Sequence, residues 1–173
     1  MQDVFLVPLS NGGFSQISTA DAEAIHEITF PCGRTWRGRI SDRTWRCLRR
    51  GDRGTYVEAR ILGKHVTLHR LLFGGRVEMI DHRDGDGLNN HRSNLRPATH
   101  SQNMRNRRKL KPSASQFKGV SRLREKWTAH VQFRVNGKKG SVCLGVFDNE
   151  RDAAIAYDAA ARERFGEFAR TNF

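Results

Sequence analysis

Apolar and polar residues alternate most regularly towards the end of the chain. In "WTAHVQFRV" every second residue is apolar, the apolar set being Trp127, Ala129, Val131, Phe133 and Val135. A period of two predicts a strand with one apolar and one polar face. Asn136-Gly137, a typical hairpin turn, follows this strand. "SVCLGVF" then supplies a partner strand in which Val142, Leu144 and Val146 alternate.

A helical pattern follows these strands in "DNERDAAIAYDAAARERFG". Asp148 or Asn149 can cap the start of the helix, and Gly166 can end it. Small side chains form a stripe along it, together with one tyrosine: Ala153, Ala156, Tyr157, Ala160 and Ala161. Small residues let a helix lie close to a sheet. Residues 116–173 are therefore predicted to form a three-stranded antiparallel sheet with one helix across its apolar face.

Residues 1–62 are predicted to contain short strands and one short helix. "FLVPLSNGGFSQI" has two apolar runs around Asn11-Gly12-Gly13, which predicts a hairpin. Ser18 or Thr19 can cap a helix over "ADAEAIHEI". "RTWRCLRR" and "TYVEARIL", joined by "GDRG", resemble paired strands.

Between these regions the pattern predicts a strand, a loop, a second strand and a helix. "VEMID" (77–81) is a short strand that leads into His82, "DGDGLNN" is rich in turn residues, and "NLRPAT" (94–99) contains a second strand. Thr99 and Gln102 form a capping box for a helix over "HSQNMRNRRK". The predicted domains are an N-terminal β-rich, Arg-rich region (1–62), a ββα unit (63–109), a linker "LKPSASQ" (110–116) and a C-terminal domain (117–173).

Charge is the most unusual feature of the composition. Lys and Arg total 31 against 18 Asp and Glu, so the net charge is +13. Such a charge predicts attraction to polyanions, with nucleic acid as the first candidate and an anionic membrane as the second. The membrane alternative is weak, because no apolar run approaches the roughly 20 residues that a spanning helix needs.

The N-terminus and the cysteines indicate an intracellular location. "MQDVFLVPL" has no basic leader and only a short apolar run, unlike a signal peptide. The 3 cysteines form no CxxC pair, which argues against a disulfide framework or a cysteine zinc site.

Eight arginines lie between residues 33 and 53, interleaved with Trp36 and Trp45. This segment is either a solvated sheet surface or a face that contacts phosphates, with the tryptophans packing or stacking. The later segment "RNRRKLK" (105–111) predicts phosphate binding, since the chain has no acidic residue between Asp86 and Glu125.

The span "DHRDGDGLNNHRSNLRPATHSQNMRN" (81–106) concentrates the candidate chemistry. Hydrolysis of a phosphodiester needs a base to take a proton from water, and a histidine suits that task near neutral pH. It also needs a hard cation to stabilise negative charge, and such cations prefer carboxylate and amide oxygens. "DGDG" does not make a calcium loop, because Leu88 stands where a third oxygen ligand is required.

The order of Asp81, His82, Asn94 and Asn103 resembles the HNH endonucleases, in the variant found in homing endonucleases of phages and introns. The resemblance implies that His82 is the general base and that Asp81 and Asn103 are ligands of Mg²⁺ or another divalent cation such as Mn²⁺. It implies that Asn94 braces the loop and orients the histidine. "LHRLLFG" (68–74) also resembles the family, and His69 within it is interpreted as structural.

The segments "FKGVSRL", "KWTAHV", "CLGVFDNERDAAIAYDAAA" and "FARTNF" resemble the AP2/ERF DNA-binding domain. The positions that carry arginine and tryptophan in plant members include Ser121, Gln132, Ser141 and Cys143 here. Plant sequence specificity therefore does not transfer. The residues expected to contact DNA in the whole chain are Arg105, Arg107, Arg108, Arg122, Arg124, Gln132 and Arg134.

Together these patterns predict an α+β protein: a ββα-metal HNH core, a small N-terminal β-rich region, and a C-terminal three-stranded sheet plus helix. The predicted function is a metal-dependent DNA endonuclease of phage or mobile-element origin, acting in a bacterial cytoplasm or nucleoid. We expect a monomer that nicks double-stranded DNA, with no membrane or protein partner. A DNA-binding regulator with an inactive HNH domain is the alternative, and RNA remains open as a substrate.

Overall fold

The computed structural model describes residues 3–49, 54–109, 114–135 and 138–173. The chain divides into two compact units, Met1–Ala98 and Thr99–Phe173. This division falls inside the segment predicted as the nuclease domain, and the predicted domain boundaries remain predictions. Most of the predicted "GDRG" turn, the Asn136-Gly137 turn and residues 110–113 of the predicted linker lie outside the described residues.

The first unit begins with two β-hairpins separated by a short helix. Strands β1 (Val4–Pro8) and β2 (Phe14–Ser18) pair antiparallel around the predicted Asn11-Gly12-Gly13 turn. Helix α1 spans Thr19–Glu23, with the Ser18 hydroxyl accepting from the Asp21 amide at 3.1 Å. Strands β3 (His26–Thr29) and β4 (Thr35–Gly38) form the second hairpin.

The prediction of one helix across residues 20–28 was wrong in its second half. Helix α1 ends at Glu23, and His26–Thr29 is a strand. His26 and Ile28 are buried, whereas Glu27 and Thr29 are exposed, so this segment has a period of two. Burial of Ile28 in the core, opposite Trp36 on β4, favours the strand over helix propensity.

A three-stranded sheet follows, with β5 (Arg46–Arg49), β6 (Thr55–Ile61) and β7 (Lys64–Thr67) in sequential order. A 3-10 helix precedes it at Ile40–Asp42, and helix α2 (Leu68–Leu72) continues from β7. Trp36 and Trp45, which stand among the arginines, are 6% and 1% exposed. Both belong to the hydrophobic core, so they pack inside the unit and offer no surface for stacking on bases.

The first unit ends with a small hairpin of β8 (Ile80–His82) and β9 (Leu95–Pro97). Strand β8 starts three residues later than the "VEMID" prediction. The connecting loop also pairs with β2, because the Gln16 amide donates to Leu88 O at 2.9 Å and the Asn90 amide donates to Gln16 O at 2.8 Å. The predicted N-terminal region and the β8–β9 hairpin thus share one core and one hydrogen-bond network.

The second unit begins with helix α3 (His100–Asn106). Its start has the predicted capping box between Thr99 and Gln102, but the helix ends three residues before the predicted Lys109. Arg107 is already extended. Lys118 secures this end of the helix, since its ammonium group donates to the backbone carbonyls of Arg105 and Arg107. Burial lowers the pKa of Lys118 to about 8.

The remainder of the second unit is the predicted sheet and helix. Strands β10 (Val120–Leu123), β11 (Lys126–Val135) and β12 (Lys138–Phe147) pair antiparallel in that order. Helix α4 (Glu150–Phe165) packs on the sheet and is followed by a 3-10 helix at Gly166–Phe168. The predicted cap Asn149 accepts from the Asp152 amide at 2.8 Å. The small-residue stripe lies in or against the core, which also buries Ala154 and Phe165.

The alternation predicted for β12 was wrong at one end. A register shift at Ala129/His130 places Val142 opposite Val131 but Val146 opposite Thr128, on the other face of the sheet. Gly145 accommodates this bulge with a φ of 136°. Val146 is 53% exposed, and Val142 on the opposite face is 42% exposed.

The final residues are tied to α4 through a buried carboxylate. Asp158 is 1% exposed and accepts bonds from the amides of Asn172 and Phe173. The Asn172 side chain in turn accepts from the Lys118 amide at 2.7 Å. The architecture as a whole is α+β, as predicted from the sequence. Within the described ranges, no helix is both long and apolar enough to cross a bilayer.

Candidate active site

Strands β8 and β9 position the first two candidate residues. Asp81 and His82 occupy the end of β8 and are 4% and 6% exposed. Consecutive residues of a strand point to opposite faces, so the carboxylate and the imidazole leave β8 in different directions.

Asp81 forms a buried ion pair with Arg96, its partner in the β8–β9 register. Arg96 donates to Asp81 Oδ2 from Nε at 3.0 Å and from Nη2 at 2.8 Å. Both side chains are about 5% exposed or less. A buried carboxylate needs such compensation, and a cation that binds Asp81 would share the carboxylate with the Arg96 guanidinium.

His82 is held by a residue that the sequence did not single out. Its Nε2 lies 3.2 Å from Oδ1 of Asn90, which is fully buried. Burial lowers the pKa of His82, while the bond to Asn90 and the nearby carboxylates of Asp84, Asp81 and Asp86 raise it in part. The net depression keeps the imidazole neutral near pH 7, which is the state a general base requires.

Asn94 hydrogen-bonds across the loop between the two strands. Its Nδ2 donates to Asp84 Oδ1 at 2.9 Å and to Asn89 O at 2.8 Å, and its Oδ1 accepts from the Asp84 amide at 3.1 Å. These bonds close the turn that begins one residue after His82. The side-chain contact to the imidazole comes from Asn90, and the role of Asn94 in orienting His82 remains a prediction.

Two aromatic rings lie beside His82. His69, from α2, meets it edge-on with ring centroids 5.2 Å apart, and the Tyr56 ring is 6.5 Å away. Burial, with the neighbouring His82 and Arg70, lowers the pKa of His69 to about 3. His69 Nε2 lies 3.2 Å from the Thr67 hydroxyl, while Nδ1 is buried without a hydrogen-bond partner among the described residues.

Asn103, the second predicted cation ligand, lies on α3 in the second unit and is half-buried. The two candidate ligands offer a carboxylate and an amide oxygen, which are the hard donors that Mg²⁺ and Mn²⁺ prefer. In the part of the chain that the structure describes, no three His, Cys, Asp or Glu side chains cluster as a metal site. The donor types of Asp81 and Asn103 by themselves suit a hard cation.

The predicted DNA-contacting arginines at the end of α3 differ in exposure. Arg108 is exposed, whereas Arg105 and Arg107 are half-buried. The Arg105 guanidinium lies 4.6 Å from the centre of the Phe165 ring. Arg108 is thus the residue of this group that presents most of its surface to solvent.

The polar face of the C-terminal sheet carries the other predicted contacts. Gln132 and Arg134 are exposed on β11, opposite Ser141 and Lys139 on β12. Arg124, in the turn after β10, has a φ of 54°. Arg122 faces the other way, pairing with Glu125 at 3.5 Å and lying over the Trp127 ring at 5.7 Å. The structure therefore brings Gln132 and Arg134 together on one face and sets Arg122 apart.

Comparisons with known proteins find similarity to HNH endonucleases and to plant transcription factors. A family profile described as HNH endonuclease matches residues 65–105. An uncharacterized HNH endonuclease of Acanthamoeba polyphaga mimivirus is 34% identical over 119 residues, which is 64% of this chain and 59% of that protein.

Plant transcription factors are also similar to this chain. An ethylene-responsive transcription factor of Arabidopsis thaliana is 35% identical over 98 residues, 55% of this chain and 59% of its own length. Ethylene-responsive transcription factor 3 of Nicotiana tabacum is 49% identical over 57 residues, 33% of this chain and 25% of its own length. The chain thus spans less than two thirds of each of these relatives.

Proposed function

We propose that this protein is a DNA endonuclease that hydrolyses phosphodiester bonds. Residues 65–105 match the HNH endonucleases, and the chain is also similar to a plant ethylene-responsive transcription factor. The observation that carries the proposal is the buried, neutral His82 held by Asn90 beside Asp81, inside the segment that matches the family. The charge of +13 fits a polyanionic substrate.

In this mechanism His82 takes the proton of the attacking water. Its depressed pKa leaves it unprotonated near neutral pH, and its burial among Tyr56, His69 and Asn90 holds the ring in place. Asn94 holds the loop after His82 in shape. Cleavage leaves a 5′-phosphate and a 3′-hydroxyl.

A divalent cation, Mg²⁺ or Mn²⁺, would be held by Asp81 and Asn103 and would supply electrostatic stabilisation of the developing negative charge. Arg96 pairs with the Asp81 carboxylate and fixes its orientation. A two-residue protein ligand set leaves room for phosphate oxygens and water, as is common for Mg²⁺ in phosphoryl-transfer sites.

The C-terminal sheet would hold duplex DNA through its polar face. Gln132 and Arg134 have the donor types that suit base edges and phosphates. Arg105, Arg107, Arg108, Arg122 and Arg124 are the further candidates for contact with DNA. A site-selective nicking or homing activity, acting as a monomer inside a bacterial cell, is the specific form of this proposal.

The decisive experiment compares wild-type protein and His82→Ala on supercoiled plasmid with Mg²⁺, with EDTA as the metal control. We expect the wild type to cut and His82→Ala to lose cutting while retaining DNA binding in a gel-shift assay. His91→Ala is the matched control, because His91 lies in the same loop and bonds the Ser93 hydroxyl at 2.7 Å. Near wild-type cutting by His82→Ala would show that His82 is not the base.

The second candidate is a DNA-binding regulator without nuclease activity, which the similarity to transcription factors favours. In that case wild-type protein would bind duplex DNA and leave plasmid intact with either Mg²⁺ or Mn²⁺. Asp81, His82, Asn94 and Asn103 are all present, which argues against an inactive domain.

A further inference from the structure

A buried chain of hydrogen bonds runs from the N-terminal hairpin to the imidazole of His82. Ser15, on β2, and Asn90, in the loop between β8 and β9, are both 0% exposed. Asn90 Nδ2 lies 2.9 Å from Ser15 Oγ, and Asn90 Oδ1 lies 3.2 Å from His82 Nε2. All three residues belong to the first unit.

Two backbone carbonyls determine which atom donates and which accepts in each of these hydrogen bonds. Ser15 Oγ donates its single hydrogen to Leu88 O at 2.9 Å, so it must accept from Asn90. Asn90 Nδ2 also lies 3.1 Å from Gly87 O, which can only accept. The contact with Gly87 O requires the NH₂ group of Asn90 on that side, and this orientation also leaves the Ser15 hydrogen on Leu88 O. The amide therefore presents its oxygen to His82, because a flipped amide would set its oxygen against Gly87 O and take the Ser15 hydrogen from Leu88 O.

The orientation of Asn90 determines which ring nitrogen of His82 carries the proton. A side-chain carbonyl oxygen only accepts, so a bond to it requires a proton on Nε2. Neutral His82 then has its lone pair on Nδ1. We propose that Asn90, oriented by Ser15, is a positioning residue that holds His82 in the Nε2–H tautomer, so that Nδ1 is the nitrogen that accepts the proton of water.

The role of Nδ1 in the reaction rests on the proposed nuclease function. The Nε2–H tautomer of His82 follows from the hydrogen bonds alone. In the reaction, the water oxygen bonds to phosphorus, its proton moves to Nδ1, and the bond from phosphorus to the 3′ oxygen breaks. The leaving 3′ oxygen takes a proton from solvent. Nε2–H stays on Asn90 throughout, so the imidazolium that forms keeps its hydrogen bond.

The inference also gives the N-terminal hairpin a role in the site. Ser15 lies 75 residues before Asn90 and outside the matched segment 65–105. The backbone of β2 pairs with residues 88 and 90 of the loop, and the Ser15 hydroxyl adds the contact that orients the amide. The hairpin therefore completes the surroundings of His82.

The test is a long-range ¹H–¹⁵N correlation spectrum of the full chain labelled with ¹⁵N-histidine, at mildly alkaline pH where imidazole is neutral. The 7 histidines are distinguished by recording His82→Gln alongside the wild type. We expect the His82 signals of an Nε2–H ring. An Nδ1–H ring would overturn the inference, whether or not the protein cuts DNA.

Variants test whether Asn90 is the cause. Asn90→Leu should give mixed tautomer signals and lower the cleavage rate by about tenfold or more, the usual range for loss of a residue that orients a functional histidine. Ser15→Ala should give a smaller change in the same direction, and Ser15→Thr, which keeps a hydroxyl, should restore wild-type signals and rate. Gln16→Ala, an exposed side chain on the same strand, is the control and should match the wild type.

The outcomes separate this inference from the proposed function. If Asn90→Leu does not fold, the wild-type spectrum and the two Ser15 variants still decide the question. Unchanged His82 signals in both Asn90→Leu and Ser15→Ala would overturn the positioning role. Wild-type protein that shows the Nε2–H ring but leaves all DNA intact would support the tautomer and reject the nuclease.

Discussion

At the scale of single residues, burial decides what the candidate groups can do. His82 and His69 lie next to each other in the first unit, and burial lowers the pKa of both imidazoles. Asp81 is equally buried and is paired with the Arg96 guanidinium at 2.8 Å. A neutral base and a paired carboxylate can thus occupy consecutive positions of one short strand.

The buried histidines should make the first unit sensitive to acid. His69 has a pKa of about 3 in the fold against 6.5 in the unfolded chain, so the unfolded state takes up the proton first. The contribution of neutral His69 to the free energy of unfolding is fully present above pH 6.5. It is lost as the pH falls towards 3, by at most about 1.4 kcal/mol per pH unit. His69→Gln should flatten this loss, as measured by urea unfolding at a series of pH values.

His100→Gln is the matched control for this measurement, because His100 is exposed at the start of α3. We expect its stability to fall with acid as steeply as that of the wild type. Equal slopes for His69→Gln and the wild type would show that His69 is not held neutral by burial.

At the scale of elements, α3 depends on a lysine from outside the helix. A seven-residue helix is too short to be stable alone, and its C-terminal carbonyls need donors. Lys118 supplies them from the segment that leads into β10. Lys109, which follows α3, in turn donates to backbone carbonyls of the segment that leads into β10, at 2.7 Å to Ser115 O and 2.9 Å to Phe117 O.

Lys118→Met should therefore destabilise the second unit by about 1–3 kcal/mol, the cost of leaving buried carbonyls without donors. The loss should appear first as faster amide hydrogen exchange in α3. Lys126→Met is the control, since Lys126 forms an exposed pair with Asp148 at 2.9 Å and should cost about 1 kcal/mol or less. Equal exchange rates in the two variants would contradict the capping role of Lys118.

The basic segment at the end of α3 (residues 105–108) should govern the salt dependence of DNA binding. With Z phosphate contacts, log K falls against log[salt] with a slope of about −0.9Z. Replacing Arg105, Arg107 and Arg108 by alanine should flatten this slope, and Arg108→Ala alone should account for about one contact. The slope is measured by fluorescence anisotropy at several salt concentrations, and an unchanged slope in the triple variant would exclude this segment from the interface.

At the scale of the whole molecule, the chain contains one Asp81-His82 pair and one matching asparagine on a helix. A double-strand break needs attack on two strands of opposite polarity. A single site can reach both scissile phosphates only by rebinding or by acting with a second copy. The proposed monomer should therefore cut one strand in each binding event.

Nicked circular plasmid should accordingly appear well before linear product, with an initial rate that is first order in protein. The measurement is a time course on an agarose gel at several protein concentrations. Linear DNA as the initial product, together with second-order dependence on protein, would show that two active sites act together and that the proposal of a monomeric nickase is wrong.

The sequence by itself determined the features that depend on near neighbours. The period-two pattern of β11 and the Thr99–Gln102 capping box are local, so the sequence predicted both. The HNH resemblance rests on the order and spacing of four residues along the chain, and the family profile over residues 65–105 confirms it. The end of α1, the bulge in β12 beside Gly145 and the early end of α3 were mispredicted, because packing overrides local preference at these places.

Only the tertiary structure decided which side chains surround His82. The contact of Asn90 with Ser15 joins residues 75 apart, and no local pattern distinguishes Asn90 from its neighbour Asn89. The pairing of Asp81 with Arg96 depends on the register of β8 and β9, and the approach of His69 to His82 depends on the packing of α2. Contacts of this kind arise because distant segments pack together to bury a shared apolar surface. The polar groups that are buried with it must then form hydrogen bonds with one another.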